Sequence, residues 1–357
     1  VALRDAFNNA LTSGGATVAL ATTLGSLGAV SDVGNGTYTA TLTATTAGTA
    51  TITGQLNSQA ITDNATVTVT SGGVSSAQSL VQVSDASIVA SNGATTSTIT
   101  VTARDANGNP IANLPVTLAA SPDAGVTITQ PAANTNASGV TTGTISGTVT
   151  GVKTITATIN GVQAAQQPTV TITPAAVSGA TTTITSNTGS ITTDGSATIT
   201  VQAKDQFGNN LTASGGTVVL NTTLGSLSVV ADNGNGTYTA TLTSTTTGTA
   251  TISGTIGGNG ITDTEVVSVT VGAASTATTQ ISVSAASFTA GGAGATVTVQ
   301  LRDAAGNNLS ANIGSTVALN TTLGTLGTLS NNGDGTFTAS LTGNVAGNGT
   351  VTGTLNS

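Results

Sequence analysis

The sequence predicts an all-β protein, a tandem array of two-sheet sandwich domains, and three observations carry that prediction. The first is strict alternation. In Asn233-Gly-Asn-Gly-Thr-Tyr-Thr-Ala-Thr-Leu-Thr243, residues Tyr238, Ala240 and Leu242 fall on one face and Thr237, Thr239, Thr241 and Thr243 on the other, the period-two pattern of a half-buried strand. The second is recurrence: the same turn and strand return as Val33 to Thr43, and as Asn332 to Thr342 with Phe337 in place of tyrosine. The third is a motif at fixed spacing. Arg4-Asp5, Arg104-Asp105, Lys204-Asp205 and Arg302-Asp303 begin turns that lie 100, 100 and 98 residues apart, which is the signature of repeated domains.

Four copies at that spacing give four domains of about 100 residues, the usual size of an immunoglobulin-like sandwich with about seven strands. We expect them at 1–72, 73–175, 176–272 and 273–357, the second divergent and the third complete. The third repeat shows the element order. Thr181 to Ser186 and Ser190 to Thr193 read as an interrupted edge strand. Ala197, Ile199, Val201 and Ala203 then alternate with polar residues into the Lys204-Asp205 turn, and Val218 and Leu220 mark the next strand. Leu224 to Val230 reads as one short strand, Tyr238 to Leu242 as a strong one, Ala250 and Ile252 as another, and Val267, Val269 and Val271 as the last. Asn-Gly and Asp-Gly pairs between them supply the positive φ angles of tight turns. No stretch sustains a helical period.

The second repeat departs from its neighbours: Asn136-Ala-Ser-Gly-Val140 replaces the Gly-Asn-Gly-Thr-Tyr turn, and Pro110, Pro115, Pro122 and Pro131 fall within it. The connectors, Ser71 to Ala77, Thr173 to Ala180 and Gly272 to Ala277, are too short for wide independent movement of the domains, so a rod with limited bending is expected. Val1 aligns with Val201, and Ser357 with Ser58. The first domain is therefore expected to lack its first strand and most of its second, and the fourth its last, as in a window cut from a longer array. The alternative is that the open sheet edges exchange strands between subunits.

Composition narrows the chemistry. Only 5% of the 357 residues are charged and 2% aromatic, and Cys, Met, Trp and His are absent. The ordered alternation of Val, Ile and Leu separates the chain from a disordered one. A net charge of −8 argues against nucleic acid and anionic membrane as partners, since both require basic patches. No apolar run approaches the roughly 18 residues of a membrane helix, so no membrane insertion is expected in this segment. Without His or Cys the usual general base and thiol nucleophile are missing, and the carboxylates are spread one per turn, so no enzyme is expected.

The remaining candidate sites are few. Asp5, Asp105, Asp205 and Asp303 are read as structural turn residues whose carboxylates accept turn amides while the neighbouring cation stays solvated. Tyr38, Tyr238 and Phe337 are read as inward-facing core plugs, which leaves no aromatic platform for a glycan. No cofactor is expected. Calcium at the domain junctions is the alternative, with Asp63, Asp85, Asp194 and Asp263 as ligand candidates, although no dense Asp/Asn loop of the six-to-eight-oxygen kind appears. The outward threonine rows, such as Thr37-Thr39-Thr41-Thr43, suit a half-exposed strand.

These residues together resemble the bacterial immunoglobulin-like repeats of the invasin and intimin type. The matching features are the Lys/Arg-Asp-x-x-Gly-Asn turn, Gly215-Gly-Thr-Val-x-Leu220, Thr222-Thr-Leu-Gly-Ser-Leu227, and Gly236-Thr-Tyr-Thr-Ala-Thr-Leu-Thr243 followed by Gly248-Thr-Ala-Thr-Ile252. The resemblance covers essentially the whole chain. It implies an extracellular stalk of a bacterial surface adhesin, whose partners are the neighbouring repeats of the same chain. The rival reading is a self-assembling filament or surface-layer subunit, with identical subunits as partners.

Overall fold

The protein is described by a computed structural model that places residues 1–311 and 314–356. Ser357, aligned above with Ser58, lies outside the described residues. The described chain contains strands and turns without a helix, and it divides into two compact units, Val1–Thr173 and Pro174–Ser357.

In the second unit, the third repeat builds two antiparallel-dominated sheets. One runs in the order Thr183–Ser186, Ser196–Gln202, Thr237–Thr243 and Ser226–Leu227, with Ala231–Asp232 also on Thr237–Thr243. The other runs Ser190–Thr192, Glu265–Thr270, Gly248–Ile256 and Val218–Thr222, with Asn259–Gly260 as a short addition. The interrupted first strand thus divides between the sheets. Its first half pairs antiparallel with Ser196–Gln202, whereas Ser190–Thr192 pairs parallel with Ser268–Thr270. Two readings change. Of Leu224 to Val230 only Ser226–Leu227 is strand, paired with Leu242–Thr243, and the next pairing, Ala231–Asp232 with Tyr238–Thr239, lies just beyond it. The last strand closes at Thr270, so Val271 lies outside it.

The alternation sets the core. Ile199, Val201, Tyr238 and Leu242 on one sheet share a buried cluster with Ile252, Ile256 and Val267 on the other. Removing each such aliphatic side chain from water contributes roughly 1.5–3 kcal/mol. The fourth repeat repeats the first sheet, with Gln280–Val283, Ala295–Gln300, Thr336–Thr342 and Thr325–Leu326 in order and Ser330–Asn331 on Thr336–Thr342, while Thr316–Thr321 pairs with Val351–Asn356. An open groove lined by Ile281, Val283, Phe288, Leu323 and Leu341 follows in that repeat.

In the first unit, the second repeat also forms two sheets: Val126–Thr129, Val140–Gly147, Ser97–Thr102 and Leu80–Val83 in one, and Ser87–Val89, Thr169–Thr173, Gly151–Ile159 and Val116–Ser121 in the other. Ser87–Val89 and Thr171–Thr173 reproduce the parallel pair. The first repeat is thinner. Val18–Thr22 and Ala65–Val69 flank Gly48–Leu56 in one sheet. The counterpart of the Thr237–Thr243 strand breaks into Tyr38–Thr39 and Leu42–Thr43, and Val67 is 43% exposed where its equivalent Val267 is fully buried. Of the ladder that Ser196–Gln202 makes with Thr237–Thr243, the described residues of the first repeat show one end, where Val1 and Tyr38 exchange backbone bonds and Ala2 bridges Thr37.

Candidate functional site: a clasp at the repeat junctions

Each Arg/Lys-Asp turn is closed by the aspartate. Asp105 Oδ1 accepts the backbone N–H of Asn107 and of Asn109, both at 2.9 Å, and Gly108, at φ 84°, turns the chain between them. Asp205 accepts Phe207 and Asn209 N–H in the same way, and Asp5 accepts Phe7 and Asn9. At Asp303 the Oδ1 atom accepts Asn307 N–H at 2.8 Å. This is the Asx chemistry of short turns.

The second carboxylate oxygen reaches beyond the turn. Asp105 Oδ2 accepts Gly72 N–H at 2.8 Å, from the connector out of the first repeat. Asp205 Oδ2 accepts Ala175 N–H at 2.9 Å, and Asp303 Oδ2 accepts Gly272 N–H at 3.2 Å. Asp303 gains one more donor, the Thr193 hydroxyl at 2.6 Å, which stands at the end of the strand Ser190–Thr192 in the third repeat. All three aspartates are buried, whereas Asp5 is exposed.

A conserved geometry within the chain completes the clasp: the asparagine four positions after each aspartate. Asn109 Nδ2 donates to Asp105 Oδ2 at 2.8 Å and to the carbonyl of Thr45 at 2.8 Å, and Asn109 Oδ1 accepts Ala47 N–H at 2.9 Å. One side-chain amide therefore holds a loop of the first repeat against a turn of the second. Asn307 does the same between the third and fourth repeats, donating to Asp303 Oδ2 and to the Thr245 carbonyl, each at 2.9 Å. Sequence reasoning quoted these asparagines as part of a turn but gave them no role. Their signal was the invariant four-residue offset in Asn9, Asn109, Asn209 and Asn307, which a turn closed by backbone groups alone would not need.

The electrostatics follow from the donors. The Asn109 side chain, then Gly72 N–H, hold the Asp105 carboxyl down to about 2. Burial pushes Asp303 the other way, but the donors Thr193 and Asn307 outweigh it and also bring it to about 2. Charge-assisted bonds of this kind are the stronger class of hydrogen bond. The basic neighbours do less: Arg4 Nη1 donates to the Asn8 carbonyl at 2.8 Å, and Arg302 Nε is shut away from solvent with no described partner.

Of the other expected residues, Asp63, Asp85 and Asp263 take no part in the clasp, and Asp194 borders it. Asp85 Oδ2 accepts the Ser84 hydroxyl at 2.7 Å, Asp263 Oδ2 accepts Ile184 N–H at 2.9 Å, Asp63 is exposed, and Asp194 stands beside Gly272. Among the described residues no three acidic side chains converge on a point that would hold a metal ion. Tyr38, Tyr238 and Phe337 are buried, and the Tyr238 hydroxyl accepts Gly215 N–H at 2.7 Å and donates to the Gly216 carbonyl at 2.8 Å.

A family model described as "Invasin, domain 3" matches residues 1–72, 178–272 and 275–357. The chain belongs to the invasin domain 3 family. Residues 78–173, the divergent repeat, match instead the model "Bacterial Ig-like domain (group 1)". Among solved structures, the Escherichia coli adhesin FdeC is 25% identical over 81% of this chain and 95% of that one, with a TM-score of 0.53. Invasin, a bacterial integrin-binding protein, is 26% identical over 77% of this chain and 56% of that one, with a TM-score of 0.43, and Yersinia pseudotuberculosis InvD is 24% identical over 77% and 82%, with a TM-score of 0.47. No curated protein sequence matches. The invasin-type chain is thus a tandem array of adhesin-type immunoglobulin-like β-sandwich domains. No helix among the described residues is long and apolar enough to cross a membrane.

Proposed function

We propose that this chain is a spacer of a bacterial cell-surface adhesin, a stalk segment of four domains at 1–72, 73–175, 176–272 and 273–357 that sets the distance between the cell and whatever its parent protein binds. The observation that carries the reading is the clasp. An aspartate that ties down the connector, and an asparagine that grips the preceding repeat, occur at both junctions within the two units. A protein built only to string binding domains on flexible linkers has no use for such locks, whereas a spacer works by limiting bending. The role is mechanical, outside the cell and without catalysis, and the partners are the neighbouring repeats. Integrin binding, named for invasin, is not part of the proposed role.

Small-angle scattering and negative-stain imaging of the isolated chain test this. A monomeric elongated particle about four domains long supports the spacer. Spontaneous polymerisation would overturn it in favour of a self-assembling filament or surface-layer subunit.

A further inference from the structure

The Asn-Gly-Thr tips of the repeated turn hold a reactive arrangement that the spacer role does not use. We propose that Asn35 and Asn235 are sites of self-assisted deamidation, in which the following glycine nitrogen is the nucleophile, the next threonine supplies an oxyanion site, and water is the only co-reactant.

Asn35 Oδ1 accepts the Thr37 N–H at 3.2 Å and the Thr37 hydroxyl at 2.5 Å. Asn235 Oδ1 accepts Thr237 N–H at 3.0 Å and its hydroxyl at 2.7 Å. Closing that ring folds the side-chain carbonyl over the intervening peptide nitrogen, that of Gly36 or Gly236. Neither nitrogen donates to any acceptor among the described residues. Both glycines have positive φ, 80° and 84°, and carry no side chain to block the approach. Two donors aimed at the oxygen where negative charge develops are the elements of an oxyanion hole, and holding nucleophile and electrophile together supplies the proximity term.

In the step itself, Gly36 N gives its proton to solvent and attacks Asn35 Cγ. The N–Cγ bond forms and the carbonyl π pair moves to Oδ1, facing the two Thr37 donors. Collapse of this intermediate breaks the bond to Nδ2, which takes a proton from water and leaves as ammonia. Water then opens the succinimide, either at Cγ to give aspartate or at the backbone carbonyl to give isoaspartate. The sum is asparagine plus water giving one of these acids plus ammonia, with no change of oxidation state.

The chain contains the product and the control. In the fourth repeat Asp334 stands at the equivalent position, and its Oδ1 accepts Thr336 N–H at 3.0 Å and the Thr336 hydroxyl at 2.5 Å. An aspartate therefore fits the turn without changing its contacts. Two residues upstream, Asn233-Gly234 and Asn332-Gly333 are the same dipeptide wired the other way. Their Nδ2 atoms, the leaving groups, donate to Thr237 Oγ1 and Thr336 Oγ1 at 2.9 and 2.8 Å. The nitrogens that would attack, Gly234 N and Gly333 N, are committed to Asp232 Oδ1 and Asn331 Oδ1, each at 2.9 Å. The two products differ in effect. Aspartate adds one negative charge to an already acidic chain. Isoaspartate adds a methylene to the backbone just before Gly36 or Gly236, whose carbonyls seat Leu3 N–H and Ala203 N–H at 2.8 Å.

The test is timed incubation of the full chain at mildly alkaline pH and body temperature, with peptide mapping by mass spectrometry. Asn35 and Asn235 should convert several-fold faster than Asn233 and Asn332. Thr37→Val should slow Asn35 several-fold and leave Asn235 unchanged, and Thr37→Ser, which keeps the hydroxyl, should restore the rate. Equal rates at the four sites, or a Thr37→Val chain in which Asn35 converts as before, would overturn the proposal. If Thr37→Val disturbs the turn, the comparison of the four sites in the unaltered chain still decides it.

Discussion

At Asn109 a single side-chain amide makes two of the bonds that join the first repeat to the second, one to the Thr45 carbonyl and one from Ala47 N–H. Replacing it by alanine should lower the coupling between those repeats by about 1–3 kcal/mol, the sum of two net hydrogen bonds, while leaving the stability of the third and fourth repeats unchanged. Calorimetry of the two units expressed separately measures this. The carboxylates add a pH dependence whose direction is fixed. The folded Asp105 and Asp303 titrate at about 2, below the ordinary 3.8. Their contribution is therefore fully present above the ordinary value and is lost as pH falls through the folded one. Melting temperature should stay level down to about pH 4 and fall below it, with a smaller fall in Asp105→Asn. In the core, Tyr238→Phe would leave the Gly215 N–H without its 2.7 Å acceptor, at a cost of roughly 1–3 kcal/mol in the third repeat. These residues stand out in the sequence as aspartates of a repeated turn and aromatics of an alternating strand. Their second partners do not, because Gly72 and Asp105 are brought together only when two repeats have both folded.

The parallel pair is the element with the clearest mechanical consequence. In the second repeat Ser87–Val89 lies near the start and Thr171–Thr173 at the end, and they run side by side in the same direction. Tension applied through the two ends loads their hydrogen bonds in shear, so they must break together and not one at a time. The third repeat has the same device in Ser190–Thr192 and Ser268–Thr270, flanked by Thr193 N–H to the Thr270 carbonyl at 3.0 Å. Ala90→Pro removes the donor that reaches the Thr173 carbonyl at 2.8 Å. Single-molecule stretching should show the second repeat opening at lower force in that variant, with the third unaffected. Period-two alternation located the longer strands of the third repeat, which bury one face. It could not show that the interrupted first strand serves two sheets, nor that Leu224 to Val230 pairs only at Ser226–Leu227. Those choices depend on which neighbouring edge is open, and a strand's own sequence does not encode its neighbour.

For the whole molecule, no three acidic groups converge among the described residues, so a chelator should leave the thermal transition where it was. The clasps predict more: a double variant, Asn109→Ala with Asn307→Ala, should broaden the distribution of end-to-end distances measured by scattering or by paired labels, with no change in secondary structure. The sequence by itself determined the all-β class, the four-fold repetition and the kinship with invasin-type adhesin repeats. Those properties rest on local alternation, turn chemistry and spacing, which the order of residues expresses directly. Only the tertiary structure decided that the Asp-x-x-x-Asn turn bonds across the junction between repeats. That depends on where a hydrogen-bonding group finds its partner in space, and the partner of Asn109 stands 64 residues away in the chain.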